Sequence, residues 1–176
     1  MLRLERPELN MSKLNSFPLF SNFDPALKER LERSIDWFPV SKGLTIIEQG
    51  SPSDFAVFVL EGSFEILRHT NQGETKYIAS GKAGTILGEI GLLTESSRTA
   101  SCRAEQDAVV GVLSKKDLAE MCETDSKLYI GLIKALGASL ANRLVEITAK
   151  VDALADTQKI AFQAANMILE NCSGRS

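Results

Sequence analysis

The sequence predicts a mainly β domain with helices (α+β): a β jelly roll, or double-stranded β-helix barrel, flanked by short N-terminal helices and a long C-terminal dimerisation helix. Between residues 36 and 114, short runs rich in Val, Ile, Phe and Thr alternate with glycine turns, the pattern of a sandwich or jelly roll. From residue 140, the apolar residues of a predicted long helix instead follow a heptad. We therefore expect a flexible N-terminus over 1–12, a barrel domain over 13–125 and a coiled-coil helix over 126–171.

The N-terminal region predicts short helices packed on the domain. Three phenylalanines recur at three-residue spacing within residues 14–23, and Pro18 interrupts them, which favours a short helical piece over a long helix. Asp24 and Pro25 then form a strong helix start, with Asp as N-cap and Pro in the first turn. A helix near 25–34 is expected.

Seven runs of the central region read as strands, because each is short, rich in β-branched or aromatic residues and bounded by turn residues. They are 44–48, 54–60, 63–69, 75–80, 84–87, 99–105 and 108–113. After the last run, Ser114 is the predicted N-cap of a short helix, and Asp125 or Ser126 caps a longer one.

The long helix carries an apolar seam with alternating spacings of four and three residues, as in a coiled coil. The seam begins with Leu140, Leu144, Ile147, Val151 and Leu154, and continues through Gln158, Ala161, Ala165 and Ile168. The seam crosses Asp156 without a slip, so we expect one continuous helix. A parallel homodimer through this seam is expected. The alternative is a helix lying on its own barrel with period 3.6, which suits residues 128–136.

Residues 88–101 combine several devices for binding a phosphorylated sugar. Gly88 and Gly91 let the backbone approach a ligand closely. The segment from Glu89 can form a helical turn with free N–H groups, and Arg98 offers a planar cation that suits phosphate. The carboxylate of Glu89 would repel an anion unless it accepts a hydrogen bond from a sugar hydroxyl. The chemistry alone predicts a sugar phosphate or nucleotide site.

The same residues, Gly88-Glu89-Ile90-Gly91-Leu92-Leu93 and Arg98-Thr99-Ala100-Ser101, resemble the phosphate-binding cassette of the cyclic-nucleotide-binding domain family. The resemblance implies that cAMP or cGMP is the ligand, that Gly88 and Glu89 hold the ribose 2′-hydroxyl, and that Arg98 pairs with the cyclic phosphate. The expected binding set is Gly88, Glu89, Ile90, Gly91, Arg98, Thr99, Ala100 and Thr148.

Two members of this set leave the choice of base open. Thr148 falls where the family's long helix covers the purine, but it would equally suit the outer flank of a coiled coil. Thr99 follows the cassette arginine, where the family uses a hydroxyl for guanine in some members and also carries one in cAMP binders. The resemblance covers roughly residues 15–150, since Gly43, Gly50 and Gly62 also fall at the family's glycine positions.

Composition argues against several other function classes. A single histidine, His69, is too few for the imidazole clusters of cupin-type metal enzymes, so neither a metal nor a further cofactor is expected. The net charge of −3 argues against a nucleic-acid surface. No targeting segment and no apolar run of about 18 residues is evident, so we expect no membrane span. Three cysteines without metal or redox spacing fit a cytoplasmic setting.

The sequence therefore predicts a non-enzymatic, cytoplasmic receptor for a cyclic purine nucleotide that signals through its C-terminal helix and dimer to a partner protein. One alternative is a ligand-independent dimeric scaffold in which Glu89 and Arg98 form a structural ion pair. Another is a truncated transcription regulator of the catabolite-activator type. No helix-turn-helix module follows the long helix, so direct DNA binding is not expected.

Overall fold

Eight antiparallel strands and four α-helices make up the part of the chain described by this computed structural model, which covers the backbone of residues 12–173 and the side chains of residues 12–159. The strands are β1 (Asp36–Val40), β2 (Thr45–Ile47), β3 (Phe55–Glu61), β4 (Ser63–His69), β5 (Thr75–Lys82), β6 (Ile86–Leu87), β7 (Ser101–Ala104) and β8 (Ala108–Ser114). The helices are α1 (Pro25–Arg33), α2 (Glu89–Leu93), α3 (Lys115–Thr124) and α4 (Ser126–Ser173). Of the predicted flexible N-terminus, residues 1–11 lie outside the described residues.

The strands form two four-stranded sheets, in the orders β1-β8-β3-β6 and β2-β7-β4-β5. The inward-facing side chains of both sheets form one apolar core, which excludes water from the space between them. Its buried members are Val40, Ile47, Val57, Val59, Phe64, Leu87, Cys102, Ala104, Ala108 and Val110. The predicted jelly-roll class with a long C-terminal helix is confirmed.

Strand β1 is absent from the sequence-predicted runs, and Pro39 explains why. Proline cannot donate to a strand ladder, so a run that contains it reads poorly as a strand. In the fold, β1 lies at the edge of its sheet and pairs only with β8 among its neighbours, with Pro39 opposite Val109. An edge strand has one side without a partner, and that position tolerates the missing N–H.

The predicted helix starts are confirmed by their caps. Asp24 accepts a hydrogen bond from Leu27 N at 2.7 Å, and Ser114 forms a capping box with Asp117 at the start of α3. Asp125 Oδ1 accepts from Leu128 N at 3.1 Å, so Asp125 is the capping side chain of α4. These contacts satisfy N–H groups that the first turn of a helix leaves without intrahelical partners.

The N-terminal aromatic residues pack into the domain, as predicted. Two 3₁₀ turns, Lys13–Ser16 and Pro18–Phe20, replace a regular helix on either side of Phe17. The rings of Phe17 and Phe20 are fully buried and contact Phe58 of β3, at centroid distances of 5.7 Å and 6.1 Å. This part of the chain is therefore core of the same unit as the sheets.

Helix α4 contains 48 residues, or about 72 Å at 1.5 Å per residue, and runs through Asp156 without a break. The chain divides into two compact units between Ala135 and Leu136. Within the second unit, the seam residues Leu144, Ile147, Val151 and Leu154 are between 51% and 66% exposed. The later seam positions 161, 165 and 168 lie outside the described side chains.

Part of α4, Ser126–Lys159, is long and apolar enough to cross a membrane by length and composition alone. It is the one such helix among the described residues, and a single helix of this kind is weak evidence for a span. The expectation of no membrane span stays a prediction.

Candidate functional site

The site is built at the end of β6, where the chain turns sharply into α2. Strand β6 pairs with β3, with Val57 opposite Leu87, and ends at Leu87. Gly88 follows as the N-cap of α2 with φ +72°, a left-handed conformation that glycine adopts without a steric penalty. A Cβ at this position would overlap Nη1 of Arg98, so the glycine also makes room for the guanidinium.

Arg98 lies almost wholly inside the protein, with 5% of the residue exposed. Its Nη2 donates to the carbonyl of Phe55 at 2.6 Å, and its Nη1 donates to the carbonyl of Gly88 at 3.1 Å. The guanidinium carbon also lies over the Phe55 ring, 4.4 Å from its centroid. Arginine has five N–H donors, so these two hydrogen bonds leave three for another acceptor.

The backbone of Arg98 is clamped to the loop before β3. Gly50 N donates to the carbonyl of Arg98 at 2.8 Å, and Arg98 N donates to the carbonyl of Ser51 at 2.9 Å. Nearby, Gln49 N donates to Ser101 Oγ at 2.9 Å. These contacts hold the end of the cassette, including the start of Arg98's side chain, in one position relative to β3.

Burial lowers the pKa of Arg98, while the nearby negative charge of Asp54 acts in the opposite direction. An arginine side chain stays protonated in proteins, so the buried group is a cation at neutral pH. A buried cation favours an anionic ligand, because the attraction between opposite charges is less screened away from water.

Glu89, in the first turn of α2, is also buried, with 4% of the residue exposed. The thiol of Cys102 lies near Glu89. Burial raises the pKa of this thiol to about 11; the charge of Arg98 acts to lower that pKa, and the charge of Glu89 acts to raise it. Both the carboxylate and the guanidinium therefore act on the same thiol. The structure brings a buried anion and a buried cation to one end of the sandwich.

The other predicted site residues are placed as follows. Gly91 lies in α2, where a Cβ would come within 2.5 Å of Ser53 Cβ and 3.0 Å of Arg98 Nη1. The side chains of Ile90 and Thr99 are exposed, and Ala100 is half-buried. Thr148 belongs to the second unit, is exposed, and donates to the carbonyl of Leu144 at 3.0 Å. Its purine contact stays a prediction.

Sequence reasoning missed three residues at and just before the start of β3 that lie near Arg98 or near the turn of α2. Phe55 is the first residue of β3 and lies 43 positions before Arg98 in the chain; Asp54 comes directly before it. Ser53 lies next to Gly91. No local pattern marks these residues, because a strand-start phenylalanine reads only as a residue of a sheet. Among the described residues, no group of three or more His, Cys, Asp or Glu could hold a metal ion.

The cyclic nucleotide-binding domain model matches residues 38–125, half of the chain, and the chain belongs to that family. The cAMP-activated global transcriptional regulator Vfr of Pseudomonas aeruginosa is 30% identical over 73% of this chain and 59% of its own length. A cAMP-dependent protein kinase regulatory subunit of Aspergillus fumigatus is 29% identical over 63% of this chain and 26% of its own length. The chain thus spans less than two thirds of these relatives.

Solved structures show the same fold. The catabolite activator protein of Thermus thermophilus superimposes with a TM-score of 0.67 at 27% identity, covering 78% of this chain and 63% of that chain. A cyclic nucleotide-binding domain from Methylobacillus flagellatus gives a TM-score of 0.69 at 24% identity, over 76% of this chain and 75% of that chain.

Gly91→Ala is expected to lower the free energy of unfolding by about 1–3 kcal/mol, the range for overpacking. The added methyl group would sit 2.5 Å from Ser53 Cβ, so the cassette turn or the loop before β3 must move. Gly137→Ala is the matched control, since Gly137 is helical with nothing within 4 Å of the added Cβ. It should raise stability by about 0.5–1 kcal/mol. Urea unfolding measures the free energy of unfolding of both variants. Equal effects of the two substitutions would contradict the close packing of Gly91 against Ser53.

Iodoacetamide at pH 7 is expected to modify Cys122 well before Cys102, because Cys122 is exposed and Cys102 is buried. The pKa of Cys102 rises from an ordinary 9.0 to about 11, which makes its reactive thiolate about 100-fold scarcer at pH 7. Its modification should accelerate as the pH approaches 11. Peptide mass spectrometry measures both rates, with urea-unfolded protein as control; equal rates in folded protein would be the contrary result.

Proposed function

We propose that this protein is a non-enzymatic receptor for a cyclic purine nucleotide, cAMP or cGMP. The observation that carries the proposal is the buried pair of charged residues at α2: Glu89 in its first turn and Arg98 beside its glycine cap. A cyclic nucleotide presents a phosphate anion next to a ribose hydroxyl. The pair offers a cation for the first and a hydrogen-bond acceptor for the second.

The arrangement of Arg98 suits phosphate. Two of its donors are used by the carbonyls of Phe55 and Gly88, and three are left for phosphate oxygens. Gly88 and Gly91 keep side-chain atoms away from the guanidinium. Ile90, Thr99 and Ala100 lie in or beside the cassette, as members of the proposed binding set.

The relatives support cAMP as the first ligand to test. The Pseudomonas relative is named as a cAMP-activated transcriptional regulator, and the Aspergillus relative as the regulatory subunit of a cAMP-dependent protein kinase. We propose that this chain likewise passes the ligand-bound state to a partner protein in the cytoplasm. A ligand shifts such an equilibrium only by its different affinity for the two states.

We further propose that the protein is a homodimer through α4. The seam residues Leu140, Leu144, Ile147, Val151 and Leu154 follow coiled-coil spacing, and the last four are at least half exposed in the single chain. Removing such side chains from water in a parallel pair of helices would stabilise the dimer. Direct binding to DNA is not part of the proposal.

A ligand-independent dimeric scaffold is the second candidate function. The observation that favours it is that the Phe55 and Gly88 carbonyls and the Phe55 ring all contact the Arg98 guanidinium, so the protein itself holds this buried cation. A structural arginine would use the same contacts. In that case, neutralising Arg98 and Glu89 together leaves dimerisation and partner binding unchanged.

Calorimetry with cAMP and cGMP tests the proposal, with 5′-AMP as the matched control that lacks the cyclic phosphate. A thermal-shift screen that adds cyclic dinucleotides widens the search, because a ligand that binds only the folded state raises apparent stability, by about 2.7 kcal/mol at 100 times Kd. Binding of a cyclic mononucleotide is the expected result. If neither cAMP nor cGMP binds at millimolar concentration, the receptor proposal is wrong.

A further inference from the structure

The Phe55 ring is the part of the Arg98 environment that the proposed function does not explain. Phe55 is the first residue of β3, half-buried, and its ring lies 4.4 Å from the guanidinium carbon of Arg98. We propose that Phe55 is a positioning residue that sets the plane of the Arg98 guanidinium for the incoming phosphate. The proposal rests on the proposed function and concerns the same site.

The geometry separates the role of the ring from the role of the two carbonyls. The hydrogen bonds from Arg98 to the carbonyls of Phe55 and Gly88, of 2.6 Å and 3.1 Å, fix where two of its nitrogen atoms lie. Two such bonds still allow the plane of the group to tilt about the line that joins the two acceptors. An aromatic face against the cation limits that tilt, since cations are attracted to the face of the ring. The direction of the three remaining N–H groups is then set before a ligand arrives.

The chemistry of the ring also fits a ligand site. A carboxylate in the same position would take up N–H donors of Arg98 and neutralise its charge, and both are needed for phosphate. The Phe55 ring contacts the cation without accepting a conventional hydrogen bond. It therefore holds the guanidinium in place and leaves its donors for phosphate oxygens, and preorganisation of this kind raises affinity by removing the cost of ordering on binding.

The test compares Phe55→Leu, which removes the ring, with Phe55→Tyr, which keeps it. Both keep the backbone carbonyl that accepts from Arg98. We expect Phe55→Leu to weaken binding of cAMP or cGMP by about 3- to 30-fold, the range of a cation–π contact, and Phe55→Tyr to bind like wild type. Phe38→Leu is the matched control, because Phe38 is a partly buried phenylalanine packed on the same core from β1. It should leave affinity unchanged.

A double-mutant cycle with Arg98→Lys separates positioning of the guanidinium from a purely structural role of Phe55. The measured quantity is the loss of nucleotide affinity caused by Phe55→Leu in each background, and a purely structural role predicts the same loss in both. Lysine keeps the charge and loses the planar fork, so the ring has no plane to set and Phe55→Leu should weaken binding less in that background than in wild type. Urea unfolding of every variant checks folding, and Phe55→Ile, which suits a strand, is used if Phe55→Leu does not fold.

The outcomes distinguish this proposal from the proposed function. If wild type binds cyclic nucleotide and Phe55→Leu binds equally well, the positioning role is wrong and the receptor proposal stands. The positioning role is also wrong, and the receptor proposal still stands, if Phe55→Tyr weakens binding as much as Phe55→Leu does. The conclusion is the same if the effects of Phe55→Leu and Arg98→Lys on the binding free energy are additive. If wild type binds neither cAMP nor cGMP, the proposed function and the positioning role are both overturned.

Discussion

Replacing Arg98 by alanine is expected to weaken cyclic nucleotide binding by about 10- to 150-fold, the loss of about 1.5–3 kcal/mol that a charge-assisted hydrogen bond contributes. The reason is that Arg98 is the buried cation beside the cassette turn, with N–H donors left over after its bonds to Phe55 and Gly88. Calorimetry with cAMP and cGMP measures the change in Kd.

The matched control is Arg103→Ala. Arg103 is an exposed arginine on β7 whose guanidinium pairs with Glu65 across the sheet at 2.6 Å. Its replacement removes the same side chain and should leave affinity unchanged. Arg98→Lys is a second variant that keeps the charge without the fork, in case alanine destabilises the fold. An unchanged Kd in Arg98→Ala would mean that the phosphate binds elsewhere.

Val151→Asp is expected to convert the proposed dimer to monomer, with the dissociation constant rising by more than about 100-fold, because an unpaired charge in a coiled-coil seam costs several kcal/mol. Val151 is 58% exposed in the single chain and belongs to the predicted seam. Sedimentation equilibrium across a range of protein concentrations measures the constant.

The control for this substitution is Ala149→Asp. It adds the same charge to the same helix two residues earlier, at an exposed position outside the seam. Ala149→Asp should remain dimeric, so a loss of helix stability alone is separated from a loss of the interface. A dimer that persists in Val151→Asp, or that is lost equally in both variants, would contradict the seam as the interface.

The architecture was largely readable from local patterns. Short runs with glycine turns predicted most of the strands, because alternation and turn chemistry are local properties. Asp24, Ser114 and Asp125 were readable as caps for the same reason, and each contacts the first turn of its helix. β1 was missed because Pro39 is tolerated only at a sheet edge, and edge position depends on strand order, which no local pattern states.

The candidate site divides in the same way. The sequence by itself was enough to propose Gly88, Glu89 and Arg98 as binding residues, since they lie within eleven residues and their chemistry suits a ribose phosphate. Only the tertiary structure decided how the arginine is held. Phe55 is 43 positions away and reaches Arg98 because the β3–β6 pairing brings α2 beside the start of β3. A contact between residues so far apart depends on strand pairing and burial, and no pattern within either segment contains that information.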